Sequence, residues 1–309
     1  MSSQSEKSRV RHETVSDDRA GQRLDNFLMA NLGKVPRSLI YRLVRTGQVR
    51  VNGRRAKPMK KLAAGDEVRI PPVKAVPESA AELPESLIDK VREKIIHMGP
   101  EFAVIDKPSG LAMHGGSGIQ YGLIDVLHRI DPAFHPVHRL DRFTSGLVVV
   151  ARNRKAAVEL QRVFRDHAVD KRYLALLSGA LAEATTTVNA PLKKIRDASG
   201  QHRVIVAEDG QPALTRFTVL EHFGGFSYVE AKIETGRTHQ IRAHAASIGH
   251  PVIGDDRYNR NQSPSGLKRL FLHAHRLRLP WPEDRLFNAP LPAELAAVLE
   301  SLRQNDPTE

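Results

Sequence analysis

The chain has 309 residues, with 47 Lys or Arg against 35 Asp or Glu, a net charge of +12 and no cysteine. That length admits a small and a medium domain with a buried core, and the missing cysteines exclude disulfides, thiolate nucleophiles and Cys-ligated metal centres. The basic excess favours a polyanionic partner, nucleic acid first. It is also uneven: residues 16–75 hold fourteen basic against five acidic side chains, so 14 − 5 = +9 of the +12 lies there. The opening MSSQSEKSRVRHE lacks the apolar stretch of a signal peptide, and aliphatic runs such as Leu147 to Ala151 are too short to span a bilayer. A soluble, cytoplasmic protein with no membrane partner is expected.

Residues 1–16 are polar and read as a disordered arm. From Asp18 onward Leu24, Phe27 and Leu28 recur at helical spacing, and after Pro36 a second helix carries Leu39, Ile40, Leu43 and Val44 on one side. Its other side collects Arg37, Tyr41, Arg42 and Arg45, an arginine face that meets either RNA or only solvent. Gly47 stops the helix. Val49 to Val51 reads as a strand, Asn52-Gly53 as a tight turn and GDEVRI as the returning strand. This helix-helix-hairpin order, with RLDNFL, PRSLIYRLVRTGQVRVNG and GDEVRI in succession, resembles the S4 RNA-binding domain. The resemblance makes Arg37, Arg42 and Arg45 candidate RNA contacts.

The stretch KAVPESAAELPESLIDKVREKI is acidic and rich in prolines and small residues, as a linker would be. Beyond it FAVIDKPSG, GLVVVAR, RYLALLSG and TRFTVL read as strands, ALTRF to AKIETG as an alternating strand pair, and GHPVIGDD as a loop. The expected organisation is an arm over 1–16, an S4-like domain over 17–75, a linker over 76–97, a catalytic domain over 98–302 and a tail over 303–309. The fold class is α+β, with a mixed, mainly antiparallel sheet in the larger domain.

Three stretches hold the groups that could do chemistry. In His138-Arg139-Leu140-Asp141-Arg142-Phe143-Thr144-Ser145-Gly146 a carboxylate stands at a strand end before a tight turn, rigid yet able to reach a cleft. An Asp between two arginines is also what a surface ion pair looks like. In Thr235-Gly236-Arg237-Thr238-His239-Gln240-Ile241-Arg242, Thr235 or Gly236 can cap a helix that aims His239 and Arg242 at one site; a solvated polar face is the alternative. In Asp170-Lys171-Arg172-Tyr173, alternation sets Tyr173 opposite Arg172 and Leu174, either as a platform for a base or as a half-buried strand residue. The loop from Lys107 to Gly116, which contains His114, is glycine-rich but lacks the Walker spacing. His239 with His244 and His273 with His275 lack the H-E-x-x-H pattern, so no metal site is expected.

HRLDRFTSG, DKRYLAL, TGRTHQIRAH and GHPVIGDDRY, in this order behind an S4-like module, resemble the RluA-type pseudouridine synthases. The resemblance implies conversion of uridine to pseudouridine in large-subunit ribosomal RNA, free or in a precursor particle, by a monomer. It implies Asp141 as the catalytic carboxylate, Arg242 as its charged partner and Tyr173 stacked on uracil. Arg139 would fill the gap left by the flipped base, and His138, Thr144, His239, Gln240 and His114 would contact substrate. Isomerisation adds, removes and oxidises nothing, so no cofactor is expected. One position departs from the pattern: Phe143 stands where these enzymes commonly carry an acidic or other polar residue. A non-catalytic ribosome-assembly factor is the competing reading, and intact Asp141, Tyr173 and Arg242 argue against it.

Overall fold

The computed structural model describes residues 10–32, 35, 37–73, 83–115, 119–196, 202–259 and 267–305, with the side chains of Arg37 and Ser38 outside that description. Residues 1–9 of the expected arm, 74–75 at the end of the expected S4-like domain, 76–82 of the expected linker and Gly116 of the glycine-rich loop therefore lie outside it. The chain divides into two units, Met1–Glu82 and Leu83–Glu309.

The first unit contains β1 (Arg11–Thr14), α1 (Leu24–Leu32), α2 (Arg37–Arg45), β2 (Arg50–Val51) and β3 (Glu67–Ile70), with sheet order β1-β3-β2. Ile40, Leu43 and Val44 of α2 join Leu24, Phe27, Leu28, Val51 and Val68 in one core. Arg42 and Arg45 are exposed on the opposite side, as the helical spacing requires. The expected arm is a strand over Arg11–Thr14, paired antiparallel with β3. Its side chains are polar because it is an edge strand that buries neither face fully, so composition carries no sign of it. Asn52 and Gly53 do adopt positive φ, 51° and 73°, but the turn closes Val51 onto Arg54, and β3 returns only after a further loop.

The second unit begins with α3 (Glu85–Glu93) and β4 (Ile95–Met98), which corrects the expected linker over 76–97. Ile88 and Val91 are buried in the core, so the Pro- and Ala-rich composition misled there. The large sheet continues with β5 (Phe102–Lys107), β6 (His135–Pro136), β7 (Ser145–Ala151), β8 (Asp170–Ser178), β9 (Thr185–Asn189), β12 (Leu214–Phe223), β13 (Phe226–Ile233), β14 (Leu272–Leu279) and β15 (Arg285–Asn288). A separate hairpin, β10 (Leu192–Arg196) with β11 (His202–Val206), is inserted before β12. The helices are α4 (Leu123–Ile130), α5 (Arg154–Arg165), α6 (Gln240–Ser247) and α7 (Ala293–Asn305), the last covering the start of the expected tail.

The main path is β4-β5-β7-β14-β8-β13-β12-β9, and β7 with β14 is the one parallel pair among the described strands. Strand β7 is apolar throughout because both of its faces are covered. Val148 and Val150 point into the core shared with α3 and α4, while Leu147, Val149 and Ala151 point into the core shared with α5. Tyr173, Ala231, Leu272 and Ala274 share the first of these faces with Ile241 of α6. That packing brings α6 to the sheet beside the end of β7, where the HRLD turn lies. Among the described residues, no helix is long and apolar enough to cross a membrane.

Candidate active site

The Asp141 turn is held from below by the loop after β5. Lys107, fully buried, donates from Nζ to the carbonyls of Pro108 at 3.0 Å, Leu111 at 2.9 Å and Arg142 at 3.2 Å. Ser109 Oγ donates to Phe143 O at 2.8 Å, Arg142 Nε to Gly110 O at 3.0 Å, and Thr144 N to Asp141 O at 3.2 Å. Burial pulls the Lys107 ammonium down to about 7, with nearby Arg269 adding to the effect and the Asp141 and Asp106 charges opposing it. These tethers fix the backbone that carries Asp141 while its side chain remains 19% exposed.

Two side chains from the TGRTHQIR segment reach that carboxylate. Arg242 Nη1 and His239 Nε2 each lie 3.8 Å from Asp141 Oδ2. The expected cap is absent: Thr235 Oγ1 instead donates to Gln240 Oε1 at 2.7 Å, and His239 precedes α6 in the left-handed conformation, φ 53°. His239 and Arg242 still converge on Asp141, because the strained residue turns its ring toward the cleft. Burial pushes His239 down to about 4 against the pull of Asp141, so its ring is neutral at pH 7 and the contact is not an ion pair. The Tyr258 hydroxyl gives its one proton to Val204 O at 3.0 Å and lies 3.2 Å from His239 Nδ1.

The fork of Arg242 is engaged elsewhere. Its Nε and Nη2 donate to Asp255 Oδ2 and Oδ1 at 2.6 and 2.7 Å, a bidentate pair buried on both sides. Asp255 Oδ1 also accepts the backbone N–H groups of Arg257 at 3.0 Å and Tyr258 at 3.2 Å. Asp256 adds a longer contact at 3.5 Å, and the Tyr258 ring lies 5.3 Å from the guanidinium carbon. Burial works against the Arg242 charge, but the Asp255 hydrogen bonds and the charges of Asp255 and Asp141 outweigh it and hold the guanidinium above its ordinary value. Sequence reading missed Asp255 and Tyr258. Both belong to GHPVIGDDRY, quoted above only for its resemblance, and no local spacing ties them to Arg242.

A narrow cavity of about 60 Å³ is lined by Arg139, Asp141, Thr144, Tyr173, His239 and Arg242, with Ile233 and Leu272 as apolar wall. Tyr173 is buried on the core face of β8, and burial, reinforced by the Asp141 charge, pushes its phenol well above the ordinary range. A phenol so shifted is a hydrogen-bond donor and a flat apolar wall at neutral pH, and a poor base. Gln240 lines the cavity too, yet its amide is spent internally: it accepts from Arg237 N and Thr235 Oγ1 and donates to Leu214 O and Thr215 Oγ1. Those bonds make it a brace for the loop beside the cavity.

His138 departs further from expectation. Its Nε2 accepts from Val149 N at 2.8 Å and its ring stacks on Phe164 at 4.2 Å, away from the cavity. Burial, with Lys171 nearby, pulls it down to about 3. His114 is exposed and does not line the cavity. Phe143 is 39% exposed beside the turn, with the Arg142 guanidinium carbon 5.1 Å from its ring centre. Among the described residues no group of His, Cys, Asp or Glu could hold a metal ion.

Three neutral histidines give the fold a pH signature. His273, hydrogen-bonded to Ser145 Oγ at 2.9 Å, is pulled down to about 4 by burial, beside His138 and His239. In the unfolded chain each would titrate near about 6.5, so the unfolded state binds more protons between there and the folded values. Stability is fully present above about pH 6.5 and falls as the pH drops toward 4, by up to about 1.4 kcal/mol per pH unit for each histidine. Urea unfolding at about pH 7 and about pH 5 measures this, and equal stabilities would mean that the three rings titrate normally.

A carboxylate on a tethered turn, a buried guanidinium and a flat phenol thus meet in one narrow cleft. The family model described as RNA pseudouridylate synthase matches residues 101–247, and the S4 domain model matches residues 22–68. The chain belongs to the RNA pseudouridylate synthase family. It is 43% identical over 303 residues to "Ribosomal large subunit pseudouridine synthase C" of Haemophilus ducreyi, covering 94% of this chain and 95% of that one. The protein of the same name from Haemophilus influenzae is 41% identical over 321 residues, covering 99% and 100%. Among solved structures, "Human RNA Pseudouridylate Synthase Domain Containing 4" superposes with a TM-score of 0.60 at 27% identity, over 71% of this chain and 96% of that one.

Proposed function

We propose that the protein converts uridine to pseudouridine in large-subunit ribosomal RNA, with Asp141 as the catalytic carboxylate. The observation that carries this reading is the cluster of Asp141, Arg242 and Tyr173 in one cleft, on the segment that matches the family. The N1–C1′ bond breaks, the uracil turns and a C5–C1′ bond forms, with the C5 proton leaving to solvent and another taken up at N1. Asp141 either adds to C1′ or removes a ribose proton, and both routes require an ionised carboxylate, with the Arg242 guanidinium 3.8 Å away to orient it.

The target base must leave its stack to reach the cleft, and exposed Arg139 beside Asp141 fills the place it vacates. Tyr173 packs against the uracil face, with Ile233 and Leu272 completing the wall. Thr144 and the neutral His239 supply polar contacts at the rim. The enzyme works as a monomer in the cytoplasm, on free ribosomal RNA or a precursor particle. Its S4 unit docks the RNA through Arg37, Arg42 and Arg45.

Mapping pseudouridines in ribosomal RNA from cells with and without the protein, by carbodiimide-dependent reverse-transcription stops, tests the reading; identical maps would refute it. Docking is tested separately. Replacing Arg42 and Arg45 by Gln should weaken RNA binding and reduce the log–log salt slope by about 0.7 to 0.9 per lost phosphate contact. An unchanged slope would place the docking surface elsewhere.

A further inference from the structure

We propose that the cavity between the β10–β11 hairpin and the Gly236–Thr238 loop is a second RNA subsite, one that takes the phosphate and sugar of a nucleotide adjoining the flipped uridine. This rests on the functional reading above. The cavity measures about 430 Å³, several times the volume beside Asp141, and is lined by Lys193, Lys194, Asp209, Gly236, Arg237 and Thr238 among others. Gly236 and Arg237 line both cavities, so the two are contiguous. A Cβ at Gly236 would meet no atom within 4 Å, so space is open beside a residue that both cavities share.

The chemistry of the lining selects the ligand. Lys193 pairs with Asp209, whereas Lys194 and Arg237 have no carboxylate partner among the described residues, so two Lys, one Arg and one Asp leave +2. Arg237 is anchored through Nε to Pro212 O at 3.1 Å, and its terminal nitrogens have no hydrogen-bond partner among the described residues. Among the described residues no aromatic ring lines the space, so they offer nothing for a base to stack on. Cations, a hydroxyl and exposed backbone suit a phosphodiester and its ribose.

The walls are built rather than incidental. Leu192 and Gln211 exchange two backbone hydrogen bonds of 2.9 Å, and a Cβ at Gly210 would come within 2.7 Å of Leu192 backbone, so only glycine lets the 207–211 turn close on the hairpin root. Leu192, Val204, Ala213 and Ala243 form a small core beneath, packed by Tyr258. The Tyr258 hydroxyl bonds Val204 N and O at 3.0 Å and lies 3.2 Å from His239. One side chain thus ties the cavity wall to the catalytic loop. A neighbouring nucleotide held here sets the position of the uridine at Asp141.

The test compares Lys194→Gln with Lys194→Arg and with Lys155→Gln, an equal charge change on exposed α5, using the full chain and a large-subunit ribosomal RNA transcript. Lys194→Gln should weaken binding about threefold to tenfold at low salt and flatten the log–log salt slope by about 0.7 to 0.9, with the kinetic loss falling on KM. Lys194→Arg should restore the wild-type slope, and Lys155→Gln should leave it unchanged. Equal slopes for Lys194→Gln and Lys155→Gln would overturn the subsite. Binding isotherms need no turnover, so a wild type that makes no pseudouridine would refute the functional reading while the isotherms still decide the subsite.

Discussion

Asp141→Asn is expected to lower the rate of uridine conversion by at least about 10⁴-fold while leaving RNA affinity within a few fold. The amide keeps the shape and volume of the carboxylate, so the tethers from Lys107, Ser109 and Gly110 to the turn are undisturbed. What disappears is the charge and the lone pair that must attack C1′ or accept a ribose proton. Neutralising a group whose side chain is only 19% exposed, 3.8 Å from a guanidinium, removes no contact that RNA needs for docking. Single-turnover conversion at saturating RNA isolates the chemical step. Residual activity above a few per cent would remove Asp141 from the mechanism, and a large loss of affinity would make it a binding residue instead.

The second large effect is expected at Asp255, which does not line the cleft itself but holds Arg242, which does. Asp255→Ala leaves the Arg242 guanidinium buried without its bidentate partner, an arrangement that costs about 3–5 kcal/mol. For a unit of this size each kcal/mol lowers Tm by about 2–4 °C, so the midpoint should fall by roughly 6–20 °C. Activity should fall as well at temperatures where the variant is folded. Arg242, released from Asp255, can swing onto Asp141 and hold it in a tight pair that hides the carboxylate from substrate. Arg242→Lys should be intermediate, because a point charge cannot make the two parallel bonds of 2.6 and 2.7 Å. Calorimetry with single-turnover rates measures both effects. An unchanged midpoint in Asp255→Ala would mean that Asp256, already 3.5 Å from Arg242, replaces the lost partner.

Much of this architecture could be read from residue patterns, and the failures share a cause. Alternation set Tyr173 on the face of β8 opposite Arg172 and Leu174, and helical spacing put Leu43 and Val44 inward with Arg42 and Arg45 outward, because both periods are set by backbone geometry alone. The Arg11–Thr14 strand was illegible because an edge strand with polar side chains is defined only by its partner. Helix α3 was hidden for the opposite reason: its flanking prolines and alanines resemble linker composition, and only packing of Ile88 and Val91 declares it ordered. Within the site, Asp141 and Arg242 sit in motifs that carry their own signal. The role of Asp255 depends on a loop that returns to α6 from farther along the chain, a relation that no window of sequence contains. His138, adjacent in sequence to the catalytic turn, faces Phe164 instead, which shows how little proximity along the chain says about direction.

Gly146, the last residue of HRLDRFTSG, has a consequence for how this protein can change over time. It has φ 108°, and a Cβ there would come within 2.3 Å of Ala274 O, at the place where β7 and β14 run parallel. Any L side chain would have to pry apart two neighbouring interior strands of the sheet, and would move the Asp141 turn at the head of β7 with them. Phe143, by contrast, occupies an exposed position of the turn, where a side chain can change without moving the backbone. Gly146 has no such latitude. The lineage can therefore vary what the catalytic turn touches, but not the seam that carries it.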